Sequence, residues 1–215
     1  MLSFLHTCAK NFIYSQNGEE GIILECISRF KAAFKLNKGH AVEIGGNDGR
    51  YCSNIALLLQ QHGWSGLFVE ADYGLYLQSK QNWGAFGLKV RHQCSRVDGK
   101  NINAFVDETC DLLSLDTDGS DYRIFAGLKA KPKIVIVEID SSYPPDFIGL
   151  NPDGAGTYRN TVELGIEKGY FLLCHTGNLV FVANEYRELF PEIEGDGLSN
   201  AELYFKRDWL RENAA

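Results

Sequence analysis

Residues 42–49 read VEIGGNDG, an apolar run of strand length that passes directly into a turn with three glycines. Glycine adopts positive φ angles without strain and lets a ligand approach the backbone, and the N-terminus of a following helix offers free N–H groups. The spacing is not that of GxGxxG, since positions 45, 47 and 50 hold Gly, Asn and Arg, and the P-loop pattern GxxxxGKS/T occurs nowhere in the chain. The segment predicts a nucleotide-type turn after a first strand, and it does not favour a dinucleotide or P-loop site.

Segments of two alternating types surround this turn. Short apolar runs rich in β-branched residues alternate with longer segments of helical periodicity, a pattern typical of βα units on a mostly parallel sheet. Right-handed crossovers would place the helices on both faces of that sheet. The predicted strands are 40–45, 66–71, 87–92, 111–116 and 133–139, and the predicted helices lie at about 52–62, 73–82, 100–107 and 120–129.

The second half of the chain indicates an antiparallel pair of strands. A helix near 157–168 leads into YFLLCHTGNLVFVAN (170–184), in which Thr176-Gly177-Asn178 separates two apolar runs. A short glycine-containing turn between apolar runs is a hairpin signal. The sequence therefore predicts a doubly wound α/β fold whose mostly parallel sheet ends with an antiparallel strand.

The flanking segments are expected to complete a single domain over residues 1–215, with an N-terminal helical cap (1–38), a core (39–184) and a C-terminal tail (185–215). A helix capped by Ser15 or Asn17 should cover the sheet, because its apolar residues recur at helical spacing. That stripe consists of Ile22, Ile23, Cys26, Ile27 and Phe30. The apolar residues of the tail could dock within the chain or form a homodimer contact, and they are Leu203, Tyr204, Trp209 and Leu210.

Composition excludes several classes of partner. The formal charge is −7, with 28 acidic against 21 basic residues, whereas phosphate backbones need clustered Lys and Arg. No stretch approaches 18 consecutive apolar residues, and the N-terminus lacks the features of a signal peptide. The six cysteines include no CxxC pair, which favours reduced core residues over a metal site. We therefore expect a cytoplasmic protein that binds neither nucleic acid nor membrane.

An acidic residue follows the glycine turn at a spacing along the chain that is typical of ribose-binding acids. Glu70 lies at a strand end in LFVEAD (67–72), 21 residues beyond Gly49. At that position in Rossmann-type sites an acid accepts hydrogen bonds from ribose hydroxyls. The less favoured alternative is that Glu70 is a solvated residue at the rim of the sheet. The acids Glu43 and Asp48 near the turn disfavour a phosphate ligand and favour a cationic or hydroxyl-rich one.

Five segments in order resemble the FkbM-like branch of class I S-adenosylmethionine-dependent methyltransferases. They are YSQNGEEGI (14–22), VEIGGNDGRYCSN (42–54), GWSGLFVEAD (63–72), DLLSLDTDGSDY (111–122) and KIVIVEID (133–140). The resemblance extends over about residues 14–184 and departs at Gly46, where the family more often has Ala. It implies a Rossmann-like seven-stranded sheet with an antiparallel last strand. It also implies S-adenosylmethionine over the carboxyl ends of the first two strands, and methyl transfer, usually to oxygen.

The resemblance also implies a set of cofactor-binding residues. Glu70 would bind the ribose, with Ala71 or Asp72 near the adenine, and Gln16 would reach the cofactor from above unless it belongs to a helix cap. Cys94 and Ser95 would lie against the adenine edge, and Asp116 would border the site. The turn under the methionine part and the start of the next helix would supply Glu43, Gly45, Asn47, Asp48, Gly49, Ser53 and Asn54.

Three carboxylates are expected to converge at the carboxyl edge of the sheet, where α/β folds bind ligands. Asp116 and Asp118 follow the fourth strand, and Glu138 ends the fifth. Either Asp118 or Glu138 is a catalytic general base for an acceptor hydroxyl, or all three hold Mg²⁺ through oxygen ligands. A purely structural alternative has Asp116 capping the next helix and Glu138 paired with Arg123.

The predicted function is methyl transfer from S-adenosylmethionine to a hydroxyl of a sugar, glycan or small metabolite. The loop 141–156 could line the acceptor pocket with Tyr143 and Phe147, or simply cover the sheet edge. His175 is a further candidate for catalysis, or an ordinary hairpin residue. The alternatives are a non-catalytic adenosine-binding module and, least favoured, an NAD-dependent oxidoreductase.

Overall fold

The computed structural model describes residues 8–9, 12–34, 38–151 and 154–193. The helices are α1 (Glu19–Phe34), α2 (Ala56–Gln61), α3 (Tyr73–Trp83), α4 (Asp121–Gly127) and α5 (Tyr158–Glu167). The strands are β1 (His40–Ile44), β2 (Ser65–Glu70), β3 (Val90–Cys94), β4 (Leu112–Leu115), β5 (Ile134–Glu138), β6 (Tyr170–His175) and β7 (Asn178–Ala183). Short 3₁₀ turns lie at Gly84–Lys89, Ile102–Ala104 and Asn184–Leu189.

The seven strands form one sheet in the order β3-β2-β1-β4-β5-β7-β6. The first five strands are parallel, and β7 runs antiparallel to both β5 and β6. The chain crosses from β1 towards β3 on one side and towards β5 on the other, so β1 and β4 flank the point at which the strand order reverses. This architecture confirms the predicted doubly wound α/β fold with its antiparallel last strand.

Both faces of the sheet are buried except at the edge strand β3, which explains the almost continuous apolar runs of the other strands. Helix α1 covers one face with the predicted stripe, in which Ile22, Ile23 and Phe30 are at most 1% exposed. Ser15, one of its two predicted caps, accepts a hydrogen bond of 3.3 Å from the Glu20 N–H. On the opposite face β1 and β4 contribute Val42, Ile44, Leu113 and Leu115 to a second apolar cluster.

Three predicted boundaries are wrong for local reasons. Strand β3 begins at Val90 rather than residue 87, because a 3₁₀ turn with φ +61° at Gly87 precedes it. The predicted helix at 100–107 is reduced to the turn Ile102–Ala104. There the Asp98 side chain accepts hydrogen bonds from the N–H groups of residues 100 and 101, in competition with helix formation. Helix α2 begins at Ala56 rather than 52, since Cys52 has a φ of +57°.

Three further predictions concern the C-terminal tail, the cysteines and membrane-spanning segments. Residues 194–215, which include the apolar tail residues named above, lie outside the described residues. All six cysteines are free thiols, but the prediction of a core position is wrong for Cys94, which is exposed at the edge of the sheet. In the parts of the chain that the structure describes, no helix combines the length and apolar character needed to cross a membrane.

Candidate active site

A cleft of about 520 Å³ opens at the carboxyl ends of β1, β2, β4 and β5. Ligands of open α/β sheets bind at this edge, where the strand order reverses. Most of the residues predicted from the sequence line the cleft. They are Gln16, Glu43, Gly45, Asn47, Ser53, Glu70, Ala71, Ser95, Asp116, Asp118 and Glu138.

The glycine turn after β1 is fixed between two neighbouring strands. The N–H groups of Gly45 and Gly46 both donate to the Val69 carbonyl, at 2.9 and 3.2 Å. Gly45 has a φ of +80°, and a Cβ at this position would lie 1.6 Å from the Asp116 carbonyl oxygen. Only glycine fits there, because the turn passes directly against the end of β4. The turn is therefore part of the cleft wall.

Glu70 joins this turn to the end of β2. One carboxylate oxygen accepts a hydrogen bond of 2.8 Å from the Asn47 N–H, and the other accepts one of 2.8 Å from the Asp72 N–H. A carboxylate offers about four lone-pair sites, so acceptor capacity remains after these two bonds. Glu70 lines the cleft and can accept hydrogen bonds from a vicinal diol there. Glu70 is therefore not a solvated residue at the rim of the sheet that lacks hydrogen bonds to the protein.

Backbone strain is concentrated around the cleft. Among the non-glycine residues that the structure describes, only Asn47, Cys52 and Asp118 have positive φ angles, of 49°, 57° and 55°. All three line the cleft. Such conformations cost on the order of 1–3 kcal/mol each and tend to occur at functional sites. Their grouping is an indication of function that the sequence pattern does not contain.

Glu43 lies at the bottom of the cleft and is only 3% exposed. Its carboxylate accepts hydrogen bonds from the Ser53 hydroxyl at 2.6 Å and the Asn54 N–H at 2.8 Å. Burial raises the pKa of Glu43 to about 7, although these two hydrogen bonds oppose the shift. Glu43 therefore holds the segment between β1 and α2 against the sheet.

Four predicted residues lie close to the cleft without lining it. Asn54 is buried and donates to the Ser114 hydroxyl at 3.0 Å. Asp48 accepts from the N–H groups of residues 50 and 51, at 2.8 and 2.7 Å, and so closes its own turn. Gly49 faces α3, where its carbonyl accepts from the Trp83 indole at 2.8 Å. Cys94 is exposed at the end of the edge strand β3.

The three carboxylates of Asp116, Asp118 and Glu138 do converge, and one oxygen atom from each lies within 4.8 Å of the other two. Burial raises the pKa of Glu138 to about 8, and the charge of Asp116 adds to that shift. Burial also raises the pKa of Asp116 to about 6, while a hydrogen bond with Glu138 opposes the shift. The two acids titrate together, and burial with their mutual repulsion favours one proton shared between them. Carboxylate oxygens at this spacing could also hold a hard cation.

The structural alternative for these acids is wrong. Asp121, and not Asp116, caps the turn before α4, since its carboxylate accepts from the Thr117 N–H at 2.8 Å and the Gly119 N–H at 3.2 Å. None of the ion pairs found within the described residues includes Glu138. Asp116 and Glu138 are thus half-buried acids that form no ion pair with any cationic side chain in the described part of the chain.

Several residues of the cleft were not predicted from the sequence. Val69, Leu75 and Val97 form an apolar wall beside Ala71, which suits a flat aromatic ring. Leu75 is the one aliphatic residue in the first turn of α3, which was a weak signal for this role. Of the described residues that line this cleft, Arg96 is the one with a basic side chain. Arg96 follows β3 in a segment without regular secondary structure, and the sequence pattern does not predict the path of that segment.

The candidates in the loop and hairpin do not line this cleft. Tyr143 and Phe147 contact each other, with ring centroids 4.4 Å apart. His175 is fully buried, and its Nε2 lies 3.0 Å from the Ser141 hydroxyl. A group with no access to the cleft cannot exchange a proton with a ligand there, so His175 does not act as a catalytic base in this structure.

Comparison with known proteins identifies the fold. No protein-family model and no curated protein matches the sequence. Monomeric WbdD is similar in structure, with a TM-score of 0.55 at 14% identity over 78% of this chain and 41% of that chain. PH1948 of Pyrococcus horikoshii, a protein assigned to the RNA methyltransferases, has a TM-score of 0.50 at 14% identity over 81% of this chain and 89% of that one.

A third solved structure covers less of the chain. The S-adenosylmethionine-dependent methyltransferase of Thiobacillus denitrificans, in complex with S-adenosylhomocysteine, has a TM-score of 0.37 at 18% identity over 52% of this chain and 46% of that one. The chain spans less than half the length of this protein and of WbdD. The strand order, together with the similarity to WbdD and PH1948, shows that the chain has the Rossmann-like fold found in these two proteins.

Proposed function

We propose that the chain is an S-adenosylmethionine-dependent methyltransferase that methylates a hydroxyl oxygen of a sugar or small metabolite. The observation that carries this proposal is the position of Glu70. Its carboxylate is held by two backbone N–H groups and faces the cleft between the glycine turn and the apolar wall. An adenosine requires a hydrogen-bond acceptor for its two ribose hydroxyls and, beside it, an apolar surface for its flat adenine ring.

The residues of the cleft fit the parts of this cofactor. Glu70 would accept the two ribose hydroxyls, and Val97 with Leu75 would contact the adenine. The turn at Gly45 allows the methionine part to approach the backbone without a Cβ in the way. When bound, S-adenosylmethionine supplies a methyl group on a sulfonium cation. The acids of the cleft favour a positively charged ligand of this kind.

The acid pair Asp116 and Glu138 supports transfer to a hydroxyl. An alcohol must lose its proton as its oxygen attacks, and an efficient base has a pKa near the working pH. Glu138 has such a pKa, raised by burial to about 8. In its ionised form it would accept the acceptor's proton, and Asp116 would then stabilise that proton through their hydrogen bond. The nearby Asp118 would orient the acceptor.

The charge of the cleft supports a small acceptor that carries no phosphate. Within the described residues, six carboxyl groups line it, from Glu43, Glu70, Asp72, Asp116, Asp118 and Glu138, against one arginine, so its net charge stays negative even while Glu138 is protonated. Phosphorylated compounds and RNA would be repelled, because like charges at short range raise the free energy of binding. This argument separates the proposed acceptor from that named for PH1948. The FkbM-like subfamily remains a prediction.

Calorimetric titration tests the cofactor first. We expect the chain to bind S-adenosylhomocysteine in the micromolar range and to show no heat with NAD. Binding of NAD alone would overturn the proposal in favour of an oxidoreductase. A second assay follows transfer of a labelled methyl group to extracts that contain glycans and metabolites. Binding of S-adenosylhomocysteine without transfer to any acceptor would favour a non-catalytic adenosine-binding module.

A further inference from the structure

A buried carboxylate, Glu19, joins the N-terminal segment to the β6–β7 hairpin. Its side chain has no solvent exposure. One oxygen accepts hydrogen bonds from the Thr176 hydroxyl at 2.8 Å and from the Asn178 amide at 3.1 Å. The other accepts from the Asn17 N–H at 2.9 Å. A buried carboxylate needs such partners to offset its loss of water, and these come from parts of the chain that are 157 residues apart.

The same segment is held at its other end. We call residues 14–17 the N-terminal strap. The Tyr14 hydroxyl donates to the side-chain oxygen of Gln60, at the end of α2, at 2.6 Å. The Tyr14 N–H donates to the buried carboxylate of Glu20 at 3.0 Å. The strap is therefore fixed both to α2 and to the hairpin.

Gln16 lies between these two attachments. It is exposed on the strap, and it is the strap residue that lines the cleft. Its backbone position therefore depends on contacts that Gln16 does not make itself. Since a displacement of about 1 Å at a binding group can weaken its action severely, the attachments of the strap matter for the ligand.

The hairpin is shaped to receive the strap. Gly177 in the hairpin turn has a φ of +118°, and a Cβ there would lie 2.8 Å from the amide nitrogen of Asn17. A helix cap for α1 would require only the local contact between Asn17 and Glu19. The bonds from Thr176 and Asn178 serve no capping purpose, so they indicate a link between strap and hairpin.

We propose that Glu19 is a positioning residue, which holds the Gln16 side chain over the cleft by tying the N-terminal strap to the β6–β7 hairpin. This inference rests on the proposed function, because Gln16 is taken to contact the bound S-adenosylmethionine. Neither Glu19 nor Thr176 lines the cleft. Their effect on the ligand must therefore pass through the strap.

A double-mutant cycle on the affinity for S-adenosylhomocysteine tests this role. We expect Gln16→Ala to weaken binding about tenfold and Thr176→Val, which removes one donor to Glu19 at nearly constant shape, to weaken it roughly three- to tenfold. The variant with both substitutions should bind no more weakly than Gln16→Ala alone, because the strap then has no side chain to position. Glu19→Gln should give the same non-additive result with Gln16→Ala.

A matched control separates positioning from stability. Thr161→Val makes the same substitution at a fully buried threonine of α5, whose hydroxyl makes no hydrogen bond within the described residues. It should leave affinity unchanged. Thermal unfolding of every variant confirms that it is folded.

The outcomes distinguish the two proposals. The role of Glu19 is overturned if Thr176→Val does not change the affinity for S-adenosylhomocysteine. It is also overturned if the losses of affinity caused by Thr176→Val and Gln16→Ala are independent, so that they multiply in the double variant. In both cases the proposed function stands. If the wild-type chain does not bind S-adenosylhomocysteine, the proposed function fails and this inference fails with it.

Discussion

The backbone N–H of Asn47 donates a hydrogen bond of 2.8 Å to the carboxylate of Glu70. The two residues belong to different βα units, and the bond joins the turn after β1 to the end of β2 in the wall of the cleft. Asn47 reaches this position with a φ of +49°, a conformation that asparagine tolerates better than most residues. The same carboxylate that would bind ribose therefore also fixes the turn beneath the rest of the ligand.

Substitution of Glu70 should both weaken ligand binding and disturb the turn that holds Asn47. Glu70→Gln replaces one acceptor oxygen with an NH₂ group that must face a backbone N–H. We expect at least a tenfold loss of affinity for S-adenosylhomocysteine, about 1.4 kcal/mol, measured by calorimetry. Glu108→Gln, at an exposed acid outside the cleft, is the control and should bind normally. Equal affinities of the two variants would remove Glu70 from the site.

The two adjacent glycines of the turn should respond differently to alanine. Gly45→Ala would place a Cβ 1.6 Å from the Asp116 carbonyl at a φ of +80°, so the ends of β1 and β4 must separate. We expect a loss of stability of about 3 kcal/mol or more, as for other strained or overpacked sites. At Gly46 the nearest atom to a Cβ is Cδ1 of the Phe68 ring, at 3.0 Å.

Because the Phe68 ring can shift slightly, Gly46→Ala should cost about 1 kcal/mol or less. Urea denaturation of both variants measures the difference. The interpretation of the turn is wrong if Gly45→Ala is as stable as Gly46→Ala.

The acid pair predicts a pH-dependent stability. The pKa of Glu138 is raised on folding to about 8, so its protonated form stabilises the native state. This contribution is complete below the unfolded pKa of about 4.3 and is lost as the pH rises through 8. Glu138→Gln mimics the protonated acid. Its Tm should match that of the wild type near pH 4 and exceed it by roughly 2–4 °C near pH 9, a modest shift because the group is partly solvated.

Calorimetric scans across this pH range measure both proteins. A Tm difference that stays constant with pH would contradict the raised pKa of Glu138.

Turnover should depend on the same proton. If ionised Glu138 is the base, the rate should rise as the pH passes through about 8, the pKa of Glu138, and should level off above about pH 9. Glu138→Gln should remove this rise and lower kcat by roughly 10²- to 10⁴-fold, while affinity for S-adenosylhomocysteine changes little. Initial rates with an identified acceptor test this. An unchanged pH profile in the variant would assign the base elsewhere.

Removal of divalent cations should leave turnover unchanged. The proposed base mechanism needs the carboxylates of Asp116, Asp118 and Glu138 to be free of metal. Rates before and after EDTA treatment measure this, with calorimetric titration of Mg²⁺ as a second readout. Loss of activity in EDTA and its recovery with Mg²⁺ would show instead that the three acids bind a cation.

Much of the fold was predictable because its signals are local. The apolar runs around Val42 and Ile136 mark buried strands wherever they occur in a chain, and the hairpin at Gly177 is recognised from a few residues. Where prediction was wrong, local side-chain or backbone conformations changed the outcome. Asp98 competes for the N–H groups of a predicted helix, and the 3₁₀ turn around Gly87 delays β3.

The site was predictable in outline and not in its details. Glu70, Asp116 and Glu138 were located from their places at strand ends, since parallel strands bring their carboxyl ends to one edge. Asp48 and Asn54 have equally suitable chemistry, but their side chains are used within the protein. Which partner a polar side chain bonds depends on distances that the order of residues along the chain does not contain.

Sequence alone thus determined the layered architecture and the edge of the sheet at which a ligand would bind, because hydrophobic periodicity and glycine turns act over short distances. Only the tertiary structure decided that Asp116 and Glu138 share a proton and that Glu19 joins the strap to the hairpin. Burial and contacts between distant segments exist only once the chain has folded, and these set both the pKa values and the positions of the groups in the cleft.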